Sequence, residues 1–242
     1  MKLVAIIGSP LKEKSNCFKI INQITSKLRK NIKDLEVDTI FLSDCNIKNT
    51  TACLTCFSTG LCPIEDELNS IIKIKLKDTD CIILSSPVYF HNVSGYVKTF
   101  IDRLAYWGHT LELSGKLGIT VTCCSNNGSD IVSNYLQKFF NYQGIVTVGN
   151  IHFFESSQIL SDIEDDIDKS VKELIYNYNS NDVEVMAIQE RIFSAFKDKY
   201  LNLGKQDDTL YEYINWKKSG KFNCKTFKEY FNHVKVNTHN VK

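Results

Sequence analysis

Three short segments of this 242-residue sequence carry residue types that could hold an anion or a flat ring. The first, "GSPLKEKSNC" from Gly8 to Cys17, follows an apolar run and leads into a helical period. A helix starting near Ser15 or Asn16 turns the unpaired amides of its first turn toward the space above the preceding strand, where Ser9, Ser15 and Asn16 add side-chain donors. Unpaired amides and the helix dipole both favour an anion. The spacing matches neither G-x-G-x-x-G nor G-x-x-x-x-G-K-[ST], which points away from a dinucleotide or P-loop nucleotide and toward a terminal monophosphate. An ordinary capped helix behind a Pro turn uses the same residues.

The second segment, "SSPVYFHNVSG" from Ser85 to Gly95, is stiffened by Pro87 and gathers Val88, Tyr89, Phe90 and His91. Apolar and flat groups at the end of a strand suit a planar partner, which would cover surface otherwise left in water. A packed loop with Tyr89 and Phe90 turned inward, and a surface His91, is the competing arrangement. The third segment, "TCCSNNGS" from Thr122 to Ser129, offers small polar groups and then Gly128 before a helix expected to be capped by Ser129.

The elements that must position these loops are legible from hydrophobic period. Leu3 to Ile7, Cys81 to Leu84, Leu117 to Val121 and Ile145 to Val148 are short apolar runs rich in β-branched residues, the pattern of strands buried on both faces of a parallel sheet. Residues 35–42, "LEVDTIFL", are interrupted by Glu36 and Asp38 and suit an edge strand. Between them, Phe18, Ile21, Ile24 and Leu28 fall on one helical face, as do Val97, Ile101 and Leu104, then Val132, Leu136 and Phe139, then Ile163, Ile167, Val171 and Leu174. The alternation predicts an α/β, flavodoxin-like, doubly wound five-stranded parallel sheet of order 2-1-3-4-5. That order brings the loops after strands one, three and four together at the carboxyl end. It covers residues 1–178; residues 179–242, beyond "NYNSND", are expected to form a helical C-terminal extension.

Composition narrows the function class. With 43% hydrophobic and 24% charged residues the chain has the make-up of an ordinary globular protein, and a net charge of +1 gives no field for nucleic acid. The amino terminus is too short in apolar residues for a signal peptide, and no stretch approaches the ~20 apolar residues that span a bilayer. A cytoplasmic chain without nucleic-acid or membrane partners is the expectation. The nine cysteines then read as thiols or ligands rather than disulfides.

"GSPLKEKSN", "SSPVYFHNVSGYVKTFIDRL" and, between them, "CLTCFSTGLCPIEDE" resemble the NADPH-dependent FMN reductase family, in its branch similar to iron–sulfur flavoproteins. The resemblance covers residues 1 to about 150 and, more weakly, the tail around Trp216 and Phe227. It implies a flavodoxin-like fold, bound FMN, a dimer or tetramer, and electrons passed from NAD(P)H to a small acceptor. By position it implies that Ser9, Ser15, Asn16 and Cys17 hold the FMN phosphate. Pro87, Val88, Tyr89 and Phe90 line the ring and ribityl chain, and Ser125 approaches the ring's other edge. Two positions depart from the family's habit: Leu11 stands where Arg is common, and Ser15-Asn16-Cys17 where Gly-Asn-Thr is common. The iron–sulfur branch uses four cysteines, whereas this chain offers Cys53, Cys56 and Cys62, with Thr50 three residues before Cys53. A thiol-lined loop without metal is the leading reading; an iron–sulfur cluster is the lesser one, and a C-x-x-C redox pair a further one.

If FMN is bound, the flavin carries the electron chemistry and no dedicated triad is needed. Tyr89 and His91 are the candidate catalytic residues, placed to donate a proton or shape the acceptor site. The aromatic tail is expected to cover the flavin of its own or a neighbouring subunit. The competing class is a flavoprotein electron carrier acting between protein partners, against which the near-neutral charge counts. A flavodoxin-like module holding some other phosphate ligand is the third reading.

Overall fold

The structure is a computed structural model that describes residues 1–240, with side chains through residue 237. The apolar runs become β1 (Lys2–Ile7), β2 (Glu36–Phe41), β3 (Cys81–Pro87), β4 (Leu117–Cys124) and β5 (Val146–Phe154). All pair in parallel, in the order β2-β1-β3-β4-β5. Ile7 is level with Ser85, Pro87 with Cys123 and Cys124 with Phe154, so the strands finish along one rim and the loops that follow are neighbours. β1 and β3 sit side by side with connections leaving to opposite faces, which opens a crevice between their loops.

Successive residues of β1 serve opposite faces: Leu3, Ala5 and Ile7 pack one core, Val4 and Ile6 the other. The first core is closed by α1 (Asn16–Asn31) and α6 (Glu164–Asn179), the second by α3 (Lys73–Asp78), α4 (Gly95–Arg103) and α5 (Ser129–Gln143). The buried stripe of α1 is Ile20, Ile21, Ile24 and Leu28, each at most 2% exposed, with Phe18 only partly covered. At about 1.5–3 kcal/mol for each buried aliphatic side chain, this stripe rather than local propensity fixes the helix.

Three local readings need correction. Strand β5 runs past Val148 to Phe154, because Asn150 and His152 are the outward members of an alternating edge strand and not a break. Ser129 does not cap α5; Gly128, at φ +82°, is the capping position and Ser129 is the first helical residue. A short α2 (Thr55–Thr59) and a π-helical turn, Leu68–Ile72, leading into α3 fill a stretch where no helix is anticipated, although Leu68, Ile72 and Leu76 are buried at a spacing of four.

Beyond α6 come α7 (Ala187–Gly204), α8 (Tyr211–Lys218) and α9 (Phe227–Asn240). They dock at the amino-terminal rim of the sheet: Gln189 Nε2 donates to Ile145 O at 2.9 Å, and Val234 packs against Gly115. Trp216 donates to His109 O at 3.0 Å and is fully buried among Phe193, Tyr200 and Phe222. The tail thus does not reach its own chain's loops at the carboxyl rim, where the flavin is expected. Its aromatics are consumed by packing at the opposite end of the strands. No described helix is long and apolar enough to cross a membrane.

Candidate functional site

Gly8 ends β1 where a side chain has no room: a Cβ there would lie 2.6 Å from Ser85 O. Its amide donates to that same oxygen at 3.0 Å, and its carbonyl accepts from Ser94 Oγ at 2.7 Å. Ser94 also caps α4 by accepting from Val97 N, so the loops after β1 and β3 are clamped together at their bases.

Ser15 caps α1, accepting from Phe18 N at 3.2 Å and donating to Lys12 O at 2.6 Å. Ser9 Oγ accepts from Leu11 N at 3.3 Å. Both hydroxyls thus shape the loop, and the donors presented to an anion are the first-turn amides of Asn16 and Cys17, which have no intrahelical acceptor. The first-turn amides are available as the sequence suggests, whereas the Ser9 and Ser15 hydroxyls, expected as added donors, are engaged within the loop itself.

The three loops enclose a cleft of about 310 Å³. Ser9, Ser15, Asn16 and Cys17 line it from the first loop, Pro87, Val88 and Tyr89 from the second, and Ser125 from the third. Phe90 is not brought in; it is 98% exposed. It and His91, at φ +49° and +57°, form a two-residue reversal closed by Tyr89 N to Asn92 O at 2.9 Å and Asn92 N to Tyr89 O at 3.1 Å. Two bulky residues in the left-handed region store about 1–3 kcal/mol each. His91 lies against Gly128, outside the cleft lining, while Tyr89 lies inside it.

The cleft also contains residues that sequence reasoning missed. Lys14 and Lys19 add positive charge, Cys123 and Cys124 end β4, and Glu155 follows β5. Asn16 Nδ2 donates to Glu155 Oε1 at 2.8 Å, so a carboxylate stands where an anion would be held. Cys17 and Cys123 are buried and hydrogen-bonded to each other; that bond and then burial hold the Cys123 thiol well above its ordinary value. The Cys17 thiol is therefore committed to the core. The available signal for the missed residues was position alone, since each lies at or beyond the carboxyl end of β1, β4 or β5.

Behind the third loop, Ser129 Oγ lies 2.6 Å from Thr122 Oγ1 and 2.7 Å from His152 Nδ1, and Asn150 Nδ2 lies 2.9 Å from His152 Nε2. Burial lowers the His152 pKa and keeps the ring neutral, so this chain of polar groups fixes the loop without adding charge.

The profile of the NADPH-dependent FMN reductase family matches residues 1–158. The chain belongs to the NADPH-dependent FMN reductase family. Among its relatives is an iron-sulfur flavoprotein of Archaeoglobus fulgidus, 34% identical over 150 residues that cover 62% of this chain and 66% of that protein. Another, from Methanocaldococcus jannaschii, is 31% identical over 152 residues, covering 62% and 77%. The flavodoxin-like fold is shared with oxidised flavodoxin 1 from Bacillus cereus, at 16% identity and TM-score 0.50, covering 73% of this chain and 99% of that one.

The relatives' names bring an iron–sulfur cluster into question. Among the described residues no three His, Cys, Asp or Glu side chains are grouped so as to hold a metal ion. Thr50 accepts a bond from Ala52 N, Cys45 donates to Phe41 O at 3.3 Å, and Cys62 accepts from Arg103 at 3.4 Å. The cleft, by contrast, fits FMN: helix-terminal amides and Lys14 for a phosphate, and a Gly8 constriction that lets the backbone come close.

Proposed function

We propose that this member of the FMN reductase family holds FMN in the cleft between the β1, β3 and β4 loops and passes electrons from NAD(P)H to a small planar acceptor. The convergence of eight of the nine residues expected to hold the cofactor on one cleft supports this most directly. When bound, FMN supplies the hydride and electron transfer.

The chain's part is to bind, orient and exclude water. First-turn amides of α1 and Lys14 take the phosphate, and Asn16 can exchange its carboxylate partner for a phosphate oxygen. Pro87 to Tyr89 make a stiff wall for the ring, clamped from below through Gly8 and Ser94, and Ser125 faces the other edge. Tyr89, half-exposed at the cleft mouth, is the group best placed to donate a proton or stack an acceptor. His91 belongs to the outer rim and shapes access. Exposed Phe90, Tyr96 and Ile131 beside the cleft suit cover by a second copy, and a homo-oligomer is part of this reading.

The test is to purify the full chain with added FMN, titrate its affinity, and follow flavin bleaching by NADPH and NADH in stopped flow. Bound FMN bleached by a nicotinamide and reoxidised by a quinone or nitroaromatic is the expected outcome. Protein with no measurable FMN affinity overturns the reading. Bound flavin that only a protein donor reduces would move it to the electron-carrier class.

A further inference from the structure

The third loop of the cleft is held at both ends by β5 and the residues just beyond it. Ser125 O, at its start, accepts from Ser156 N at 3.1 Å and from Ser156 Oγ at 2.6 Å. Ser129, where α5 begins, is buried, and its hydroxyl lies 2.7 Å from His152 Nδ1. Between these anchors Gly128 packs so closely on the second loop that a Cβ there would lie 3.1 Å from Val88 Cγ1, and Val88 lines the cleft. Whatever holds Ser129 therefore sets one wall of the cleft against another.

The partners of Asn150 fix which nitrogen of His152 carries the hydrogen. Asn150 Oδ1 accepts from Thr120 Oγ1 and from Ser133 Oγ, each at 2.7 Å, which commits the amide nitrogen to the other side. Nδ2, a donor only, meets His152 Nε2 at 2.9 Å, so Nε2 is the bare acceptor and Nδ1 bears the hydrogen. Nδ1–H donates to Ser129 Oγ, whose own proton goes to Thr122 Oγ1 at 2.6 Å. A proton added at Nε2 would set one N–H against another. Asn150 cannot answer by turning its oxygen toward the ring, because its NH2 would then face the Thr120 and Ser133 hydroxyls, and Ser133 Oγ already accepts from Gln137 Nε2 at 3.1 Å.

We propose that His152 is a positioning residue for the FMN cleft and a proton-operated latch on its third loop. Neutral, the ring holds Ser129 and keeps Gly128 seated on Val88. Protonated at Nε2 by solvent, it is driven from Asn150 and releases Ser129. The proposal rests on the reading that FMN occupies this cleft. Burial holds the His152 pKa below its ordinary 6.5, while the charges near enough to act on the ring, Asp130 of α5 and Asp166 of α6, pull the other way. The latch is closed at neutral pH and opens in acid. One pH unit below the pKa of the ring about one chain in ten keeps it neutral, so FMN affinity falls about tenfold there.

The experiment titrates FMN into the full chain in pH steps from 7.5 to 4.5, for the parent, His152→Asn and Asn150→Asp. The FMN phosphate takes up a proton in the same range, but it and His91 are common to all three proteins, so the loss of affinity across the range is compared between them. His152→Asn offers Ser129 an amide donor and cannot titrate. Asn150→Asp gives a charged ring an acceptor at Nε2 and keeps an oxygen for Thr120 and Ser133. The parent should lose roughly tenfold more affinity on acidification than either variant. Without flavin or substitution, nitrogen-15 NMR of the parent at pH 7.5 should show the Nδ1–H tautomer at His152. The Nε2–H tautomer, superimposed profiles for the parent and His152→Asn, or equal acid loss in Asn150→Asp would overturn the latch while leaving the cofactor reading intact. A parent with no FMN affinity at pH 7.5 would remove the cofactor reading and the latch with it.

Discussion

Asn16 and Glu155, 139 residues apart, meet across the cleft through a 2.8 Å hydrogen bond between the amide nitrogen of one and a carboxylate oxygen of the other. The contact ties the first turn of α1 to the end of β5 and leaves a negative charge at a helix terminus whose amides favour an anion. Glu155 is thus both a placeholder for the phosphate and a competitor with it.

Glu155→Gln keeps the acceptor oxygen for Asn16 and removes the charge. FMN affinity should rise by roughly three- to tenfold at low salt, with the gain shrinking as salt is added, because the carboxylate is exposed and its repulsion is screened. Fluorescence titrations of flavin into both proteins at two ionic strengths measure this. Weaker binding by the variant would mean that Glu155 holds the cleft in shape and does not compete with the phosphate.

Ser15 separates loop stability from anion binding. Ser15→Ala removes the cap on Phe18 N and should lower stability by about 1 kcal/mol. Ser15→Asp restores a capping acceptor but adds charge beside the phosphate, so it should recover the melting temperature and lose FMN affinity. Equal affinity in Ser15→Asp and the parent would place the phosphate elsewhere.

Gly8→Ala tests the clamp between the first two loops. Its methyl group would sit 2.6 Å from Ser85 O and 3.4 Å from Ser94 Oγ, against backbone that cannot move without breaking the β1–β3 ladder. Overpacking of this kind costs about 1–3 kcal/mol, and urea denaturation should show it together with weakened FMN retention. A variant as stable as the parent would show that the loops are looser than this geometry requires.

Much of this was legible in the sequence where one physical rule governed alone. The buried strands could be read because parallel strands are apolar throughout, and β2 because Glu36 and Asp38 break that run. Legibility failed where long-range contacts decide. Cys17 reads as a phosphate neighbour, yet its thiol faces Cys123, and Ser129 reads as a cap, yet its hydroxyl answers His152 from β5. Phe90 reads as a ring-facing aromatic, yet a left-handed reversal at residues 90 and 91 turns it to solvent. Glu155 carries no local pattern, since only the alignment of strand ends brings it to Asn16.

Lys221 supplies a pH dependence of definite sign. It is 3% exposed, donates to Ser219 Oγ at 2.9 Å and lies 4.9 Å over the Tyr230 ring; burial lowers its pKa from 10.5 to about 8. Between pH 8 and 10.5 the unfolded chain keeps a proton here that the folded chain has released, so unfolding takes up a proton and stability rises with pH across that window. Lys73, lowered to about 8 by burial, adds in the same sense. Tyr230, raised to about 12 by burial, works against both above its ordinary value of 10.0. The buried Cys81 and Cys123 thiols, held above 9.0, oppose the two lysines from about pH 9 upward, so urea midpoints should climb just above pH 8 and then turn over. In Lys221→Met the climb should shrink; an unchanged climb would show that this ammonium is solvated in the folded chain.

Trp216 decides what the C-terminal helices are for. Its ring packs tilted against Phe193 and Tyr200, with centroids 5.2 Å and 5.7 Å away, and its indole nitrogen satisfies the His109 carbonyl at the far end of the sheet from the cleft. Trp216→Ala should cost about 3–5 kcal/mol through the cavity it leaves. Because α8 touches the amino-terminal rim, that loss should appear as a lower unfolding midpoint, while the fraction still folded binds FMN with parental affinity. If the folded fraction instead loses flavin, the tail communicates with the cleft, and the two ends of the strands are coupled through β4 rather than independent.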